Sequence, residues 1–132
     1  VDVAVLSAAV ADYKPKYIAT AKIKKSEPTL SLELEKTKDI LASLGAIKTN
    51  QLLVGFALET NNEVDNAIKK LKSKNLDLIV LNSLNDVGAG FGGDTNKVTL
   101  IDKNLVETVY PLKSKAKVAA DIMTEIQKQI NA

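Results

Sequence analysis

The sequence predicts an α/β fold: a Rossmann-like sheet with a parallel centre, flanking helices, an extended antiparallel arm and a C-terminal hairpin. Three observations carry this. Apolar runs of strand length, "VDVAVLSAAV", "QLLVGFALET" and "LDLIVLN", alternate with segments whose apolar residues recur at helical spacing. One segment, "TLSLELE", instead alternates with a period of two, as a half-exposed antiparallel strand does. Finally, each apolar run ends in unusual residues, "SAAVAD", "GFALETN" and "LNSLND", and ligands of such sheets bind beyond the carboxyl ends of the strands.

The first strand is expected over Val1 to Val10, buried. It leaves through Asp12 into "YKPKYIATAKIKK", which carries five lysines and no acid before Ser26. The chain stays extended to about Lys36, with Leu30, Leu32 and Leu34 on one face. Asp39 opens a helix to about Lys48, its stripe formed by Ile40, Leu41, Leu44 and Ile47. The second buried strand ends near Leu58. Asn62 is placed to cap the next helix by accepting a free backbone N–H, and Val64, Ala67, Ile68 and Leu71 form that helix's buried stripe. After the third strand, "SLNDVGAGFGGD" is a loop with four glycines. "KVTLID" and "LVETVYPL" flank the turn "KN" as a hairpin. Ser114 to Ile130 closes the chain as a helix with Val118, Ile122, Ile126 and Ile130 on one face.

The chain of 132 residues fits one domain, with 45% hydrophobic and 26% charged residues. Its net charge of +2 gives no global bias toward nucleic acid or membrane. All 18 basic residues are lysines, so an anion site would use mobile point charges and not bidentate forks. The absence of histidine and cysteine removes imidazole acid–base catalysis, thiol chemistry, disulfides and common zinc sites. No stretch reaches the length of a membrane span and no charged leader precedes an apolar core, which places the expectation in the cytoplasm.

Several residues have both a functional and a bland reading. Asp12 either binds a hydroxyl, amine or metal or caps a turn, while Ala8, Ala9 and Ala11 leave room for a flat ring against the backbone. Lys22, Lys24 and Lys25 form either a solvated face, paired with Glu33, Glu35 and Asp39, or a lid, since long unstructured loops often close active sites. Lys70 and Lys74 are neighbours on one helix flank whose repulsion an anion would relieve. The glycine-rich loop is either a connection or a cradle of N–H groups in which Phe91, Asp94 and Asn96 fix a ligand. It has neither the dinucleotide fingerprint nor the lysine of a phosphate loop.

Taken in order, "SAAVADYKP", "KIKK", "DIL", "GFALET", "KLKSKNLDLIVLN" and "GFGGDTNKVTLI" resemble phosphopantothenoylcysteine synthetase, also called phosphopantothenate–cysteine ligase. In bacteria this is commonly the C-terminal half of a bifunctional protein of coenzyme A biosynthesis. The resemblance implies joining of 4'-phosphopantothenate to cysteine with CTP and Mg²⁺, through an acyl-cytidylate, by a homodimer. FMN would enter only with an upstream decarboxylase domain. Carried over by motif, the nucleotide contacts fall on Ala8, Asp12, Lys22, Lys38, Asp39, Ile40, Leu41, Phe56, Lys70 and Lys74. Lys22 is the catalytic candidate, and Asn82, Phe91, Asp94 and Asn96 are the substrate-binding candidates. The family has Asn-Pro where this chain has Thr37 and Lys38. It also begins with a strand and a glycine-rich turn ahead of the first motif, so residues 1–132 are read as the larger C-terminal part of one synthetase domain. The competing readings are a nucleotide-binding module without catalysis and, against the missing fingerprint, a dinucleotide oxidoreductase.

Overall fold

The computed structural model describes residues 1–24, 28–83, 85 and 93–131. Its main sheet contains β1 (Val3–Leu6), β4 (Leu52–Glu59), β5 (Leu78–Ser83), β7 (Val98–Asp102) and β8 (Glu107–Val109), in the order β1-β4-β5-β7-β8. The pairs β1–β4 and β4–β5 are parallel, whereas β7 runs antiparallel to β5 and β8 antiparallel to β7. Among the described residues the parallel part therefore ends at β5, and β1, β4 and β5 contribute their carboxyl ends to one edge.

Alternation along the strands sorts the core into two layers. Leu53 and Ala57 of β4 face α1 (Ile40–Ile47) and α2 (Glu63–Ser73), where they meet Leu41, Leu44, Ala67, Ile68 and Leu71. Val54 and Phe56 face the other way, toward Val118, Ile122 and Ile126 of α3 (Lys115–Ile130). All four residues of the α2 stripe pack as the periodicity predicts. In the other two helices the stripe is narrower, because Ile40, Ile47 and Ile130 are exposed.

Other expectations are corrected. Among the described residues β1 is a four-residue strand paired with β4, not a buried ten-residue one: Val3, Ala4 and Leu6 pack, but Val5 is 43% exposed and residues 7–11 leave the ladder. The arm is also shorter. Only β2 (Tyr13–Pro15) and β3 (Leu34–Lys36) pair, and Leu30 and Leu32 lie outside any strand. Asn62 stands at the α2 N-cap in the left-handed conformation with φ 45, which turns its side chain away from capping. The hairpin turn is longer than "KN", since the Asp102 carboxylate accepts from the N–H groups of Asn104 and Val106 and Leu105 takes φ 65. A small ladder of β6 (Thr95–Asn96) with β9 (Lys113–Ser114) had no signal in the sequence pattern.

The α1–α2 contact is set by Gly45, which is buried on α1. A Cβ there would stand 1.8 Å from the Lys74 carbonyl oxygen, and Asn75 Nδ2 donates to the Gly45 carbonyl at 2.9 Å. Asn75 adopts φ 53 to turn the chain off α2. Gly45→Ala should destabilise the fold by about 2 kcal/mol or more, because a clash with backbone outweighs the roughly 1 kcal/mol that alanine gains in a helix. Urea unfolding checks this, and an equally or more stable variant would refute the close approach.

Candidate functional site

A cleft of about 520 Å³ opens beyond the carboxyl ends of β1 and β4. Its walls are the segment Val5 to Asp12, the segment Thr37 to Leu41, Phe56 of β4, and Lys70 and Lys74 on the flank of α2. The two wall segments are tied together: Thr37 Oγ1 donates to the Ala11 carbonyl at 2.6 Å, and the Thr37 N–H to the Asp12 carbonyl at 2.9 Å. Small residues keep this wall flat. Ser7, Ala8, Ala9 and Ala11 have little side chain to fill the space, which leaves backbone polar groups within reach of a ligand.

The opposite wall is charged. Asp39 caps α1, its Oδ1 accepting from the Ala42 N–H at 2.9 Å, and its Oδ2 meets Lys74 Nζ at 2.9 Å. The Ala42 hydrogen bond first, and the Lys74 bond second, hold the Asp39 carboxyl below the usual carboxylate range. It is therefore ionised at neutral pH. Lys70 Nζ meets Glu59 Oε1 at 2.5 Å, at the last residue of β4. Each lysine thus has its own carboxylate, so their mutual repulsion is already relieved within the chain. Lys69 and Lys72 of the same helix are exposed.

Of the ten nucleotide candidates, Ala8, Asp12, Lys38, Asp39, Ile40, Leu41, Phe56, Lys70 and Lys74 line this one cleft. Lys22 does not line it and is exposed on the extended segment after β2. Glu33 and Glu35 pair not with the Lys22 cluster but with Lys16 and Lys14 across the arm. Register explains this, because Lys14 stands opposite Glu35 in the β2–β3 ladder.

The substrate candidates assemble one strand further along. Asn96 Nδ2 donates to Asn82 Oδ1 at 3.2 Å, and the Asp94 carbonyl accepts from the Lys115 N–H at 2.9 Å at the start of α3. These residues do not line the cleft, although Asn82 is in register with Leu58, two residues from Phe56. Phe91 and Lys25 lie outside the described residues. The sequence reading missed Thr37 and Glu59 as site groups. Glu59 had a signal comparable to that of Asp12, a carboxylate at the end of an apolar strand.

Chemically, the cleft can seat a flat ring on the small-residue wall and an oxyanion near the Lys70 and Lys74 ammonium groups on the α2 flank. Among the described residues no three acidic side chains gather in a way that could hold a metal ion.

The sequence matches the family described as DNA/pantothenate metabolism flavoprotein C-terminal domain over residues 1–130. It is 54% identical over 126 residues to a "Cysteine/Cysteine sulfinic acid decarboxylase" of an unknown prokaryotic organism, covering 95% of this chain and 35% of that one. It is 47% identical over 125 residues to the "Coenzyme A biosynthesis bifunctional protein CoaBC" of Bacillus subtilis (strain 168), covering 95% of this chain and 31% of that one. The crystal structure of the C-terminal domain of a CoaBC protein superposes with a TM-score of 0.77 at 40% identity, covering 99% of this chain and 56% of that one. The chain spans about a third of the length of the curated relatives it matches.

Asp39 generates a pH prediction. Its lowered folded-state value means that its stabilisation is fully present above the unfolded value of about 3.9 and is lost as pH falls through the folded one. Asp39→Asn keeps a capping oxygen but loses the charge, and because the pair is partly exposed it should cost no more than about 1 kcal/mol at pH 7. The difference from wild type should shrink as pH falls below the unfolded value and vanish once pH has passed below the folded one in an acid denaturation series. A difference that persists there would remove the ion-pair explanation.

Proposed function

Because the chain belongs to the DNA/pantothenate metabolism flavoprotein C-terminal domain family, we propose that it forms the site of a phosphopantothenate–cysteine ligase that uses CTP. The observation that carries this reading is the convergence of nine of the ten expected nucleotide positions, from Ala8 to Lys74, on one cleft. In this reading Ala8 and Asp12 hold the nucleoside against the flat wall. Lys70 and Lys74 face the triphosphate. A carboxylate oxygen of 4'-phosphopantothenate attacks the α-phosphorus of CTP, and the bond to pyrophosphate breaks, leaving an acyl-cytidylate. The cysteine amine attacks the acyl carbonyl, gives its proton to solvent and expels CMP. Lys22, brought in from the extended segment, offsets the charge that grows on the α-phosphate.

The cleft has two carboxylates, Asp12 and Asp39, and Asp39 is engaged by Lys74. It therefore builds no resident magnesium site, and Mg²⁺ belongs to this reading as part of the CTP complex. FMN belongs only to a decarboxylase domain elsewhere in a longer protein. The family setting fits the cytoplasm; among the described residues no helix is long and apolar enough to cross a membrane.

The second reading, a nucleotide-binding module without catalysis, is favoured by one observation, the position of Lys22 outside the cleft. One assay separates the two. The full-length protein is supplied with phosphopantothenate, cysteine, Mg²⁺ and either CTP or ATP, and adduct and pyrophosphate are followed by mass spectrometry. CTP should support faster turnover than ATP, and Lys22→Gln should lower turnover at least about tenfold, or about 1.4 kcal/mol. Nucleotide binding without adduct would select the binding module, and wild-type turnover by the Lys22 variant would leave that lysine a solvated residue.

The exposed arm supports a homodimer. Tyr17, Ile18, Ile23, Leu30, Leu32 and Leu34 are each more than half exposed, an apolar surface that a second copy would cover. Leu32→Lys should then yield monomers, since pairing would desolvate the new charge. Sedimentation that finds an unchanged dimer, or a monomeric parent, would rule the arm out as the interface.

A further inference from the structure

We infer that Glu59 is a positioning residue that holds the Lys70 ammonium at the cleft for an oxyanion. The inference rests on the reading of the cleft as a nucleotide site and adds a residue outside its lining. Glu59 is the last residue of β4, and its side chain is only 13% exposed. Both carboxylate oxygens are used: Oε1 meets Lys70 Nζ at 2.5 Å, and Oε2 accepts from Asn66 Nδ2 at 3.4 Å. Asn66 is itself fixed, because Nδ2 also donates to the Asn61 carbonyl at 2.9 Å. The carboxylate therefore sits at the junction of β4 and α2, in a place set by the sheet.

Lys70 is less anchored. Its side chain is 43% exposed, and a free lysine stem carries rotamer freedom that is lost whenever its ammonium binds a ligand. A partner fixed to the sheet removes part of that loss in advance, which is the general route by which preorganisation raises affinity. Asp39 does the same for Lys74, but it also lines the cleft and caps α1. Glu59 does not line the cleft, so any influence on the ligand passes through Lys70. The charge of Glu59 offsets that of Lys70, whereas its oxygen positions the ammonium. These two effects have opposite signs, which makes them separable by substitution.

The test is titration of inorganic tripolyphosphate and of CTP with Mg²⁺ into the full-length protein and four variants: Glu59→Ala, Glu59→Gln, Lys70→Ala and the double alanine variant. Glu59→Ala should weaken tripolyphosphate binding about fivefold, in the range of coupling found between contacting residues. Glu59→Gln keeps an acceptor oxygen and should restore wild-type affinity or exceed it. In the Lys70→Ala background, Glu59→Ala should have no further effect. A purely structural junction between β4 and α2 would give the same loss in both backgrounds and no rescue by glutamine, and either result overturns the inference. Should Glu59→Ala fail to fold, Glu59→Asp replaces it: one methylene shorter, it should bind as weakly as alanine, and wild-type affinity would overturn the inference. Coupling seen with tripolyphosphate while CTP fails to bind would sink the nucleotide reading and leave the role of Glu59 standing. If Lys70→Ala alters neither ligand's affinity, both fall.

Discussion

The position of α1 depends on two glycines. At Gly45 the helix lies against the backbone at the end of α2, and at Gly55 the strand beneath leaves room for Leu41 and Leu76, whose methyl carbons would stand 2.7 and 2.8 Å from an added Cβ. A side chain at Gly45 would push α1 off the backbone at the end of α2, whereas one at Gly55 would force the Leu41 and Leu76 side chains to repack. Because α1 is seated this closely, its N-terminus arrives beside Lys74, and Asp39 can serve as helix cap and ion-pair partner at once. Packing in the core thus fixes the electrostatics of the cleft.

The opposite edge of the sheet is closed by a different device. Asp77 precedes β5, and its carboxylate accepts from Lys48 Nζ at 2.7 Å and from the Leu53 N–H at 2.8 Å, while its carbonyl accepts from the Lys103 N–H. The Lys48 and Asp77 side chains are only 12% and 15% exposed, so the pair gains from low screening but depends on these further hydrogen bonds to offset desolvation. One residue therefore joins the end of α1, the start of β4 and the hairpin turn. With the amino ends of the strands pinned in this way, the carboxyl ends are free to carry irregular loops.

Much of this was legible in the sequence, for identifiable reasons. The stripe Val64, Ala67, Ile68 and Leu71 is a local property of one helix, and Asp39 and Ser114 read as helix starts, where their side chains cap the first turn. The strand pattern points to the carboxyl edge, where the cleft opens, and the candidate residues that line it come from the resemblance carried by the ordered motifs. What stayed hidden was relational. Nothing in "VDVAVLSAAV" marks where its ladder stops at Leu6, because that depends on the strand beside it. The pairings Lys70–Glu59 and Lys74–Asp39 join residues far apart in sequence, and charge alone suggested other partners. Asn62 shows a third limit: composition favours a cap, but a left-handed backbone redirects the side chain.

The pairing of β1 with β4 also links the site to the sheet. Among the described residues the strand pairs on one side only, with β4, and its partners Val3 and Leu52 are separated by the whole arm and α1. Yet the residues that follow β1, from Ser7 to Asp12, form one entire wall of the cleft. Pairing of β1 with β4 and occupation of the cleft are therefore coupled equilibria: a molecule bound there holds β1 against β4 by mass action, and an undocked β1 leaves no cleft to bind it.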